Sequence, residues 1–308
     1  MKLYAPKYYS HFSCIADRCK HSCCVGWEID VDEESLRAYA ALEHPYGKTL
    51  MASISREDTP HFCLTAGERC PHLEPNGLCR VILELGESYL CEICREHPRF
   101  YNDTSRGREV GLGMACEEAC RLILSSDGYG EWIEVGEVSG EALPEDFAAA
   151  EHRDRWLALL ADGSRSYAAR LEELCKTCGI DLSSVTDAAW RALLDSLEYL
   201  DETHRAWFSC FSTAAPTDAR ELWLERALAY FLFRHCARAE DAWDLRARAG
   251  FCLFCERLLA SLAESRGVDS LEAMILLAQT VSEELEYSEE NTAAIRDAVA
   301  EWTASEVG

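Results

Sequence analysis

The sequence predicts a mostly α-helical protein in which a loop-rich, cysteine-bearing N-terminal unit packs on a C-terminal helical bundle. Eleven of the 17 cysteines fall in the first 120 residues, where turn signals are frequent and long periodic stretches are few. From about residue 151 onward, apolar residues recur at the spacing of one helix face. With 308 residues, 48% of them hydrophobic and 28% charged, the chain has a globular composition and enough length to bury a substantial core.

These patterns divide the chain into three parts. Residues 1–125 form the cysteine-rich metal-binding unit, which has short helical patterns at 32–43 and 79–90. Because such a unit has little apolar periodicity, metal ligation would supply part of its folding free energy. Residues 126–150, with four glycines and then Pro144, are predicted to be a linker or crossing segment. Residues 151–308 are predicted to form the helical domain.

The predicted helical domain carries recognisable helix ends. Gly179 supplies a stop, Asp187 a cap for the helix that contains Trp190, and Ser288 a cap for a last short helix. Further helices are predicted over 217–239, 243–265 and 269–286.

Composition restricts the partners and the compartment. A formal net charge of −25 repels phosphate backbones, so nucleic acid is not expected as a partner. No apolar run reaches the ~18 residues of a membrane-spanning helix, and the first residues lack the apolar stretch of a secretory signal. We therefore expect a cytoplasmic protein without membrane contact. In that reducing compartment, cysteines indicate metal ligation rather than a disulfide framework.

The cysteines of the first 120 residues are grouped in a way that suits a metal centre. Several thiolates close in sequence, beside a glycine that lets the backbone turn, can converge on one soft metal ion or cluster. A zinc ribbon would need two Cys-x2-Cys pairs here, and a radical centre would need a cysteine where Gly26 stands. The groups are Cys14-x4-Cys19-x3-Cys23-Cys24, then Cys70, Cys79, Cys91-x2-Cys94 and Cys116-x3-Cys120.

The later cysteines and two histidines receive other interpretations. Cys252-x2-Cys255 lies in an apolar helical pattern and is predicted to be core, as are Cys210 and Cys236, and Cys175-x2-Cys178 favours a structural role. His72 and His97 lie near ligand cysteines, either as further ligands or as residues that orient them.

In this order, the motifs resemble those of the flagellin lysine-N-methylases. More distantly, the first group resembles the zinc- or iron-chelating domains with a CxxCxxCC-type signature. The matching stretches run over nearly the whole chain, at 11–32, 70–73, 76–80, 85–86, 94–99, 230–235 and 282–291.

The resemblance implies transfer of a methyl group from S-adenosylmethionine to lysine side chains of flagellin. It also implies an iron–sulfur cluster of the 4Fe-4S type, with zinc as the alternative. Two departures are Cys91, where the family more often has serine, and Glu117, where a proline usually follows the last cysteine. The ligands implied by position are Cys14, Cys19, Cys23, Cys24, Cys70, Cys79, Cys94 and Cys116.

The matched C-terminal stretch supplies the catalytic candidates Glu286, Asn291 and Tyr287. A lysine must lose its proton before it accepts a methyl group, so carboxylates that receive this proton or orient the ammonium are expected near the donor. Glu283, Glu284, Glu286 and Glu290 could line such a channel, or they could form a solvated acidic face. No Gly-x-Gly-x-x-Gly motif is present, so the donor pocket is not of the dinucleotide-binding kind.

Two other functions remain open at the level of sequence. A metal-chelating protein without catalysis would explain the cysteines. A redox-sensing interaction protein would explain both the cysteines and the acidic surface, which would attract a basic partner.

Overall fold

The computed structural model of the protein describes residues 1–143, 148–212 and 220–304. Helices make up 55% of it and strands about 11%, which confirms the mostly α class. The chain forms two compact units. Unit 1 consists of Met1–Phe12, Phe100–Ala115 and Ala119–Gly308, and unit 2 consists of Ser13–Arg99 and Cys116–Glu118.

Six strands lie within the described residues, and four of them form one sheet in the order β4-β5-β1-β6. In that sheet β1 pairs in parallel with β5 and antiparallel with β6. The other two form a short antiparallel pair in unit 2. The strands are β1 (Lys2–Pro6), β2 (Ile54–Ser55), β3 (His61–Phe62), β4 (Arg99–Thr104), β5 (Gly107–Leu112) and β6 (Trp132–Glu137).

The four-stranded sheet joins segments on both sides of the predicted domain boundary at residue 125. Strand β1 lies in the predicted cysteine-rich unit and β6 in the predicted linker, yet the two pair with each other, Leu3 opposite Gly136. Gly107 allows β1 to approach closely, because a Cβ there would lie 2.5 Å from the carbonyl oxygen of Lys2. Pro144, which marks the predicted linker, falls outside the described residues.

The helices of unit 1 follow the predicted periodicity closely. The patterns at 217–239, 243–265 and 269–286 correspond to α10, α11 and α12, apart from residues 217–219, which lie outside the described ranges. The α-helices are α1 (Glu33–Ala40), α2 (Pro45–Ala52), α3 (Arg80–Leu85), α4 (Glu92–Glu96), α5 (Glu117–Ser125), α6 (Ala149–Leu160), α7 (Tyr167–Cys178), α8 (Asp187–Ser196), α9 (Glu202–Phe208), α10 (Glu221–Cys236), α11 (Ala242–Ser265), α12 (Leu271–Glu286) and α13 (Glu289–Ala304).

The predicted helix ends are partly confirmed. Gly179 ends α7 in the left-handed conformation, with φ +68°. The Ser288 hydroxyl accepts a hydrogen bond from the Asn291 backbone N–H (3.0 Å) and so caps α13, which is 16 residues long rather than short. Asp187 is not the cap of α8. Thr186 is, because its hydroxyl accepts from the Ala189 N–H (3.3 Å).

Helix α11 lies at the centre of unit 1, where it packs against α7, α9, α10, α12 and α13. It is apolar on nearly all sides, as expected for a helix surrounded by others. Trp190 of α8 is fully buried and stacks between Phe211 and Phe254, with ring centroids 4.3 and 4.4 Å away. Burying one large aromatic side chain in this way contributes roughly 1.5–3 kcal/mol.

The later cysteines mostly belong to this core. Cys236, Cys252 and Cys255 are buried, as predicted, and the Sγ atoms of Cys236 and Cys252 lie 3.9 Å apart. The prediction for Cys210 is wrong, since this residue is exposed just after α9. Across the described ranges, no helix is long and apolar enough to cross a membrane.

Candidate metal centre and carboxylate site

In unit 2, a short backbone ladder places Cys24 beside Cys70. The Cys70 N–H donates to the Cys24 carbonyl (2.8 Å), and the Gly26 N–H donates to the Glu68 carbonyl (2.9 Å). Gly26 has φ +80°, a backbone conformation in which a side chain would be strained. The glycine after the first cysteine group therefore turns the chain toward the second group.

A tight turn after Cys70 reverses the chain and brings Cys79 beside Leu73. Leu73 and Cys79 form an isolated antiparallel bridge, and the turn between them contains Gly77 at φ +82°. A Cβ on Gly77 would lie 3.2 Å from the Cα of Asp17, so the turn also contacts the segment that carries the first cysteines. The sequence signal Pro75-Asn76-Gly77 thus marks a turn that brings two cysteine groups together.

Asp32 and Glu117 fix the remaining cysteine segments. The Asp32 carboxylate accepts from the backbone N–H groups of Ser35 and Glu92, both at 2.8 Å, so the start of α4 lies against the start of α1. The Glu117 carboxylate accepts from the N–H groups of Lys20 (2.6 Å) and His21 (3.2 Å). The first contact positions Cys91 and Cys94, and the second brings Cys116 to the loop of Cys19.

Five thiols form what we call the inner set. They pack in one apolar cluster of unit 2, together with residues such as Val31 and Phe62. Within it, burial raises the pKa of Cys70 to about 12, and the neighbouring thiols add to that effect. A hydrogen bond from the Cys94 thiol lowers the pKa of Cys91 and raises that of Cys94. The inner set is Cys24, Cys70, Cys79, Cys91 and Cys94.

Four further thiols of unit 2, Cys14, Cys19, Cys23 and Cys116, form what we call the outer set, which is not part of that cluster. Cys14 and Cys23 are exposed, and Cys19 and Cys116 are half-buried. Burial raises the pKa of Cys19 to about 12, with contributions from the charges of Glu117 and Cys116. Cys23 lies close enough to Cys14 and Cys116 for their charges to raise its pKa.

The two sets meet at Cys23 and Cys24, which are neighbours in sequence. The Cys23 thiol donates a hydrogen bond to Cys24, and this bond lowers the pKa of Cys24 to about 7. A thiol with that pKa is about half ionised at neutral pH, and the ionised form is the one that binds metals.

All eight cysteines predicted as ligands belong to one of the two sets, and the structure adds Cys91. In the part of the chain that is described, no three His, Cys, Asp or Glu side chains are arranged so that they could hold a metal ion as they stand. The donor chemistry nevertheless fits a thiophilic ion or an iron–sulfur cluster, because thiolates are the ligands of both. Cys63 is exposed in the same unit and lies outside both sets.

His72 contributes to packing behind the inner set. Both ring nitrogens have hydrogen-bond partners, Nδ1 with the Tyr46 hydroxyl (2.6 Å) and Nε2 with the Ser53 hydroxyl (2.9 Å). Since the Ser53 hydroxyl donates to the Leu50 carbonyl, Nε2 carries the proton and Nδ1 accepts. His72 therefore orients the loop after Cys70 rather than offering a free ligand atom.

In unit 1, the candidate Glu286 lies at the end of α12 with a fully buried carboxylate. It accepts hydrogen bonds from Tyr230 (3.0 Å), His235 Nε2 (2.7 Å) and Ser282 (2.5 Å), and Arg234 Nε lies 3.3 Å away. Burial alone would raise the pKa of Glu286, but the charge of Arg234 and the hydrogen bond from His235 outweigh it, so the pKa is lowered. The carboxylate is therefore ionised and held in place on every side.

The other two catalytic candidates have different surroundings. Tyr287 is 37% exposed, and the Arg234 guanidinium lies 4.9 Å from the centre of its ring. Asn291 is buried. Its Oδ1 accepts a hydrogen bond from the Glu198 N–H, and its Nδ2 donates to the carbonyls of Glu198 and Glu284. Asn291 thus joins α13 to the segment after α8, which is a bracing role.

The neighbouring glutamates do not form one channel. The Glu284 carboxylate accepts from the Leu200 N–H (2.7 Å) and contacts His204 Nδ1 (2.6 Å). Glu283 is buried near Gln279, whereas Glu290 is exposed on α13. The helix break at residues 287–288 separates Glu290 from the others, since Ser288 starts a new helix.

Unit 1 also contains a cleft that the sequence does not reveal. It has a volume of about 410 Å3, and its wall includes the loop Asp127–Glu131 together with Asp154, Leu157, Glu225 and Arg226. A second, small cavity shares Tyr129, Gly130, Leu157 and Arg226 with it and is also lined by Tyr230, the partner of Glu286. The glycines at 128 and 130, at φ +80° and +83°, are a weak signal for this loop.

Comparisons with known proteins bear on the resemblance. Over 127 residues, 39% of the chain, it is 28% identical to the lysine-N-methylases of Salmonella choleraesuis (strain SC-B67) and Salmonella typhimurium. The same identity relates it to the flagellar biosynthetic protein FliU of Salmonella muenchen, of which 75% is covered. No protein-family model and no solved structure matches the chain.

The match has a limited extent, since the chain spans 32% of the length of each of the two lysine-N-methylases. The CxxCxxCC-type resemblance of the first cysteine group stays a prediction. The chain is related in sequence to proteins named lysine-N-methylase, which confirms the resemblance that its motifs predict.

Proposed function

We propose that this chain is a protein-lysine N-methyltransferase that takes its methyl group from S-adenosylmethionine and modifies flagellin, with an iron–sulfur centre in unit 2. The observation that carries the proposal is the similarity to lysine-N-methylases. The similarity to a flagellar biosynthetic protein supports a flagellar substrate. The thiols of the inner and outer sets supply the donor chemistry that a cluster requires.

The reaction places simple demands on the site. The neutral lysine Nζ forms a bond to the methyl carbon while the bond from that carbon to the sulfonium sulfur breaks, so the donor leaves as a thioether. A lysine with an ordinary pKa of about 10.4 must first lose a proton. In an open cleft this proton passes to water, and nearby carboxylates hold the ammonium until then.

The cleft of unit 1 is our proposed donor site. Its volume of about 410 Å3 falls within the range of roughly 300–1,000 Å3 typical of small-molecule pockets. Asp127 and Glu131 offer acceptors for ribose hydroxyls, and the Tyr129 ring offers an aromatic surface. Arg226, which pairs with Asp127, offers a cation for the carboxylate of the donor.

Glu286 acts in this proposal as a positioning residue. It holds the Tyr230 hydroxyl, and Tyr230 lines the small cavity that shares Tyr129 with the cleft. A change at Glu286 therefore reaches the cleft through Tyr230. When bound, the iron–sulfur centre would fix the loops of unit 2 through the thiolates of both sets.

The deciding experiment incubates the chain with labelled S-adenosylmethionine and flagellin from the same cell. We expect label on flagellin lysines. We also expect Ala158→Trp, which fills the cleft from α6, to abolish donor binding in calorimetry. Glu151→Trp, at an exposed position of the same helix outside the cleft, should bind the donor normally. Absence of label from a protein with its full metal content would refute the methyltransferase proposal.

A second candidate function has one observation in its favour. Ten thiols lie in unit 2, a compact unit in which metal binding could be the whole function. A protein that binds iron or zinc stoichiometrically, but neither binds the donor nor labels any lysine, would be a metal-chelating or redox-sensing protein. Brown colour would distinguish an iron–sulfur cluster from colourless zinc.

A further inference from the structure

We propose that Glu225 and Arg170 are positioning residues, which hold the Tyr129 ring in place as the surface on which the adenine ring of the donor stacks. We call these two residues the support pair. The inference rests on the donor cleft of the proposed function and deepens it, because it assigns the recognition of one part of the donor to one side chain. All the residues involved belong to unit 1.

Tyr129 lies in a loop whose backbone does not fix the position of its ring. Its neighbours Gly128 and Gly130 both have left-handed backbone conformations, with φ +80° and +83°. Glycine has more backbone freedom than any other residue, so the loop by itself allows the ring several positions. The ring is half-buried and lines both the cleft and the small cavity that adjoins it. Its position therefore depends on contacts of the side chain itself.

The Tyr129 hydroxyl makes such a contact with the support pair. It donates a hydrogen bond to one oxygen of the Glu225 carboxylate, on α10. The other oxygen of that carboxylate lies 2.8 Å from a guanidinium nitrogen of Arg170, on α7. Arg170 also donates to the carbonyl of Leu160, the last residue of α6. The ring is thus tied to three helices through one hydroxyl group.

The charges of the support pair keep this arrangement together. Both residues are buried, and each compensates the charge of the other, as buried charged groups require. Burial alone would lower the pKa of Arg170, but the hydrogen bond to Glu225 and the charge of that carboxylate outweigh it, so the pKa is raised. Burial and the hydrogen bond to Glu225 raise the pKa of Tyr129. The Tyr129 hydroxyl therefore keeps its proton at neutral pH and goes on donating to Glu225.

The surroundings of the Tyr129 ring suit a flat heteroaromatic group. The same cleft is lined by the aliphatic side chains of Leu157, Ala158 and Leu222. Nucleic-acid bases stack well on aromatic side chains. A ring that is ordered before the donor arrives loses less entropy on binding than a mobile one does. The support pair therefore acts on the adenine ring through Tyr129.

The experiment measures the affinities of S-adenosylmethionine and of adenosine by calorimetry in two variants of Tyr129. Tyr129→Phe keeps the ring but loses the bond to Glu225. Both ligands should then bind about 2- to 10-fold more weakly, because binding must order one more side chain. Tyr129→Ala removes the ring and should weaken both affinities by about 10-fold or more. In activity assays, Tyr129→Phe should raise the KM for the donor and leave kcat unchanged, as expected when ground-state and transition-state binding weaken equally.

Tyr199→Phe is the matched control. The Tyr199 hydroxyl donates to the Leu194 carbonyl (2.8 Å), and Tyr199 does not line the cleft. This variant loses a comparable hydrogen bond in the same unit, and it should bind both ligands with unchanged affinity.

A double-variant cycle tests the support pair itself. Glu225→Gln removes the charge that faces Arg170 and should weaken donor binding when Tyr129 is present. In the Tyr129→Phe background it should have no further effect, because the bond through which it acts is already absent. Equal effects in both backgrounds would overturn the positioning role of Glu225. If Glu225→Gln does not fold, Tyr129→Phe still decides, since it leaves the ion pair of Glu225 and Arg170 intact.

The results distinguish a failure of this inference from a failure of the proposed function. If Tyr129→Phe and Tyr129→Ala bind adenosine as the wild type does, the inference is wrong and the donor site stands. If only Tyr129→Ala binds more weakly, the ring contacts adenine but the support pair does not position it, and the inference is again wrong. If the wild type binds neither ligand, the donor site fails and this inference with it. Adenosine binding that depends on Tyr129, in a protein that labels no lysine, refutes only methyl transfer.

Discussion

The buried carboxylate of Glu286 permits a sharp test of the unit 1 site. Glu286→Ala leaves Arg234 without the carboxylate that faces it and removes an acceptor from Tyr230, His235 and Ser282. Breaking a buried ion pair by removing one partner costs about 3–5 kcal/mol. Glu286→Gln keeps the shape and one acceptor oxygen but loses the charge, so we expect a smaller cost of about 1.5–3 kcal/mol, the range for one hydrogen bond to a charged group.

Urea unfolding followed by far-UV circular dichroism measures the loss in free energy of unfolding of each variant, and thermal unfolding gives a second measurement. In thermal unfolding of a chain of 308 residues, a loss of 1 kcal/mol lowers the melting temperature by about 1.5 °C, so the alanine variant should melt at least about 4 °C below the wild type. Glu290→Gln is the matched control, because Glu290 is exposed on α13 close in sequence. Its stability should stay within about 0.5 kcal/mol of the wild type.

The same variants separate a positioning role from a direct catalytic role. If Glu286 positions Tyr230, the glutamine variant should lose stability and only part of its methyl transfer. A glutamine variant as stable as the wild type but without methyl transfer would show that Glu286 touches the reacting atoms. An alanine variant within about 1 kcal/mol of the wild type would refute the reasoning about the buried pair.

Three further predictions concern stability. Burial raises the pKa of Glu256 to about 7, so the unfolded chain ionises at lower pH than the folded chain does. The wild type should therefore lose about 3 kcal/mol of stability between pH 4.5 and pH 7. Urea midpoints measured across that range should show this loss in the wild type but not in Glu256→Gln. Arg153→Met should lower the free energy of unfolding by about 3–5 kcal/mol, because the buried Glu109 carboxylate loses the two hydrogen bonds of 2.6 and 2.8 Å that Arg153 donates to it. An unchanged midpoint of urea unfolding would contradict this prediction. Asp32→Ala removes the cap of α1 and should cost about 0.5–2 kcal/mol, whereas Asp32→Asn should retain most of the cap.

The helices of unit 1 could be predicted because their apolar residues repeat at the helical period. Helices α10, α11 and α12 lie within three residues of the predicted bounds wherever both are described. The sheet could not be predicted in the same way. Strands of five or six residues carry little periodicity, and the partners of β1 lie more than 90 residues away along the chain. The predicted linker therefore contains a strand.

The site could be predicted in its composition but not in its arrangement. The cysteine spacing identifies the donor atoms, yet it does not show that adjacent residues, Cys23 and Cys24, belong to different sets. That division depends on the ladder at Cys70 and on the contact of Glu117, which join distant segments. The cluster of glutamates at the end of α12 resembles a solvated face in sequence. Glu286 is nevertheless buried, paired with Arg234 and hydrogen-bonded to His235 of α10, whereas Glu284 contacts His204 of α9.

Unit 2 is an insertion within unit 1, since the chain leaves unit 1 after Phe12 and returns at Phe100. The last cysteine of the inner set in sequence is Cys94. The last cysteine of the outer set is Cys116, which follows β4 and β5. Domains fold from the N-terminus as the chain emerges from the ribosome. The inner thiols are therefore the first to be gathered during synthesis. The outer thiols are gathered only as the sheet of unit 1 begins to assemble, which ties the completion of unit 2 to its host.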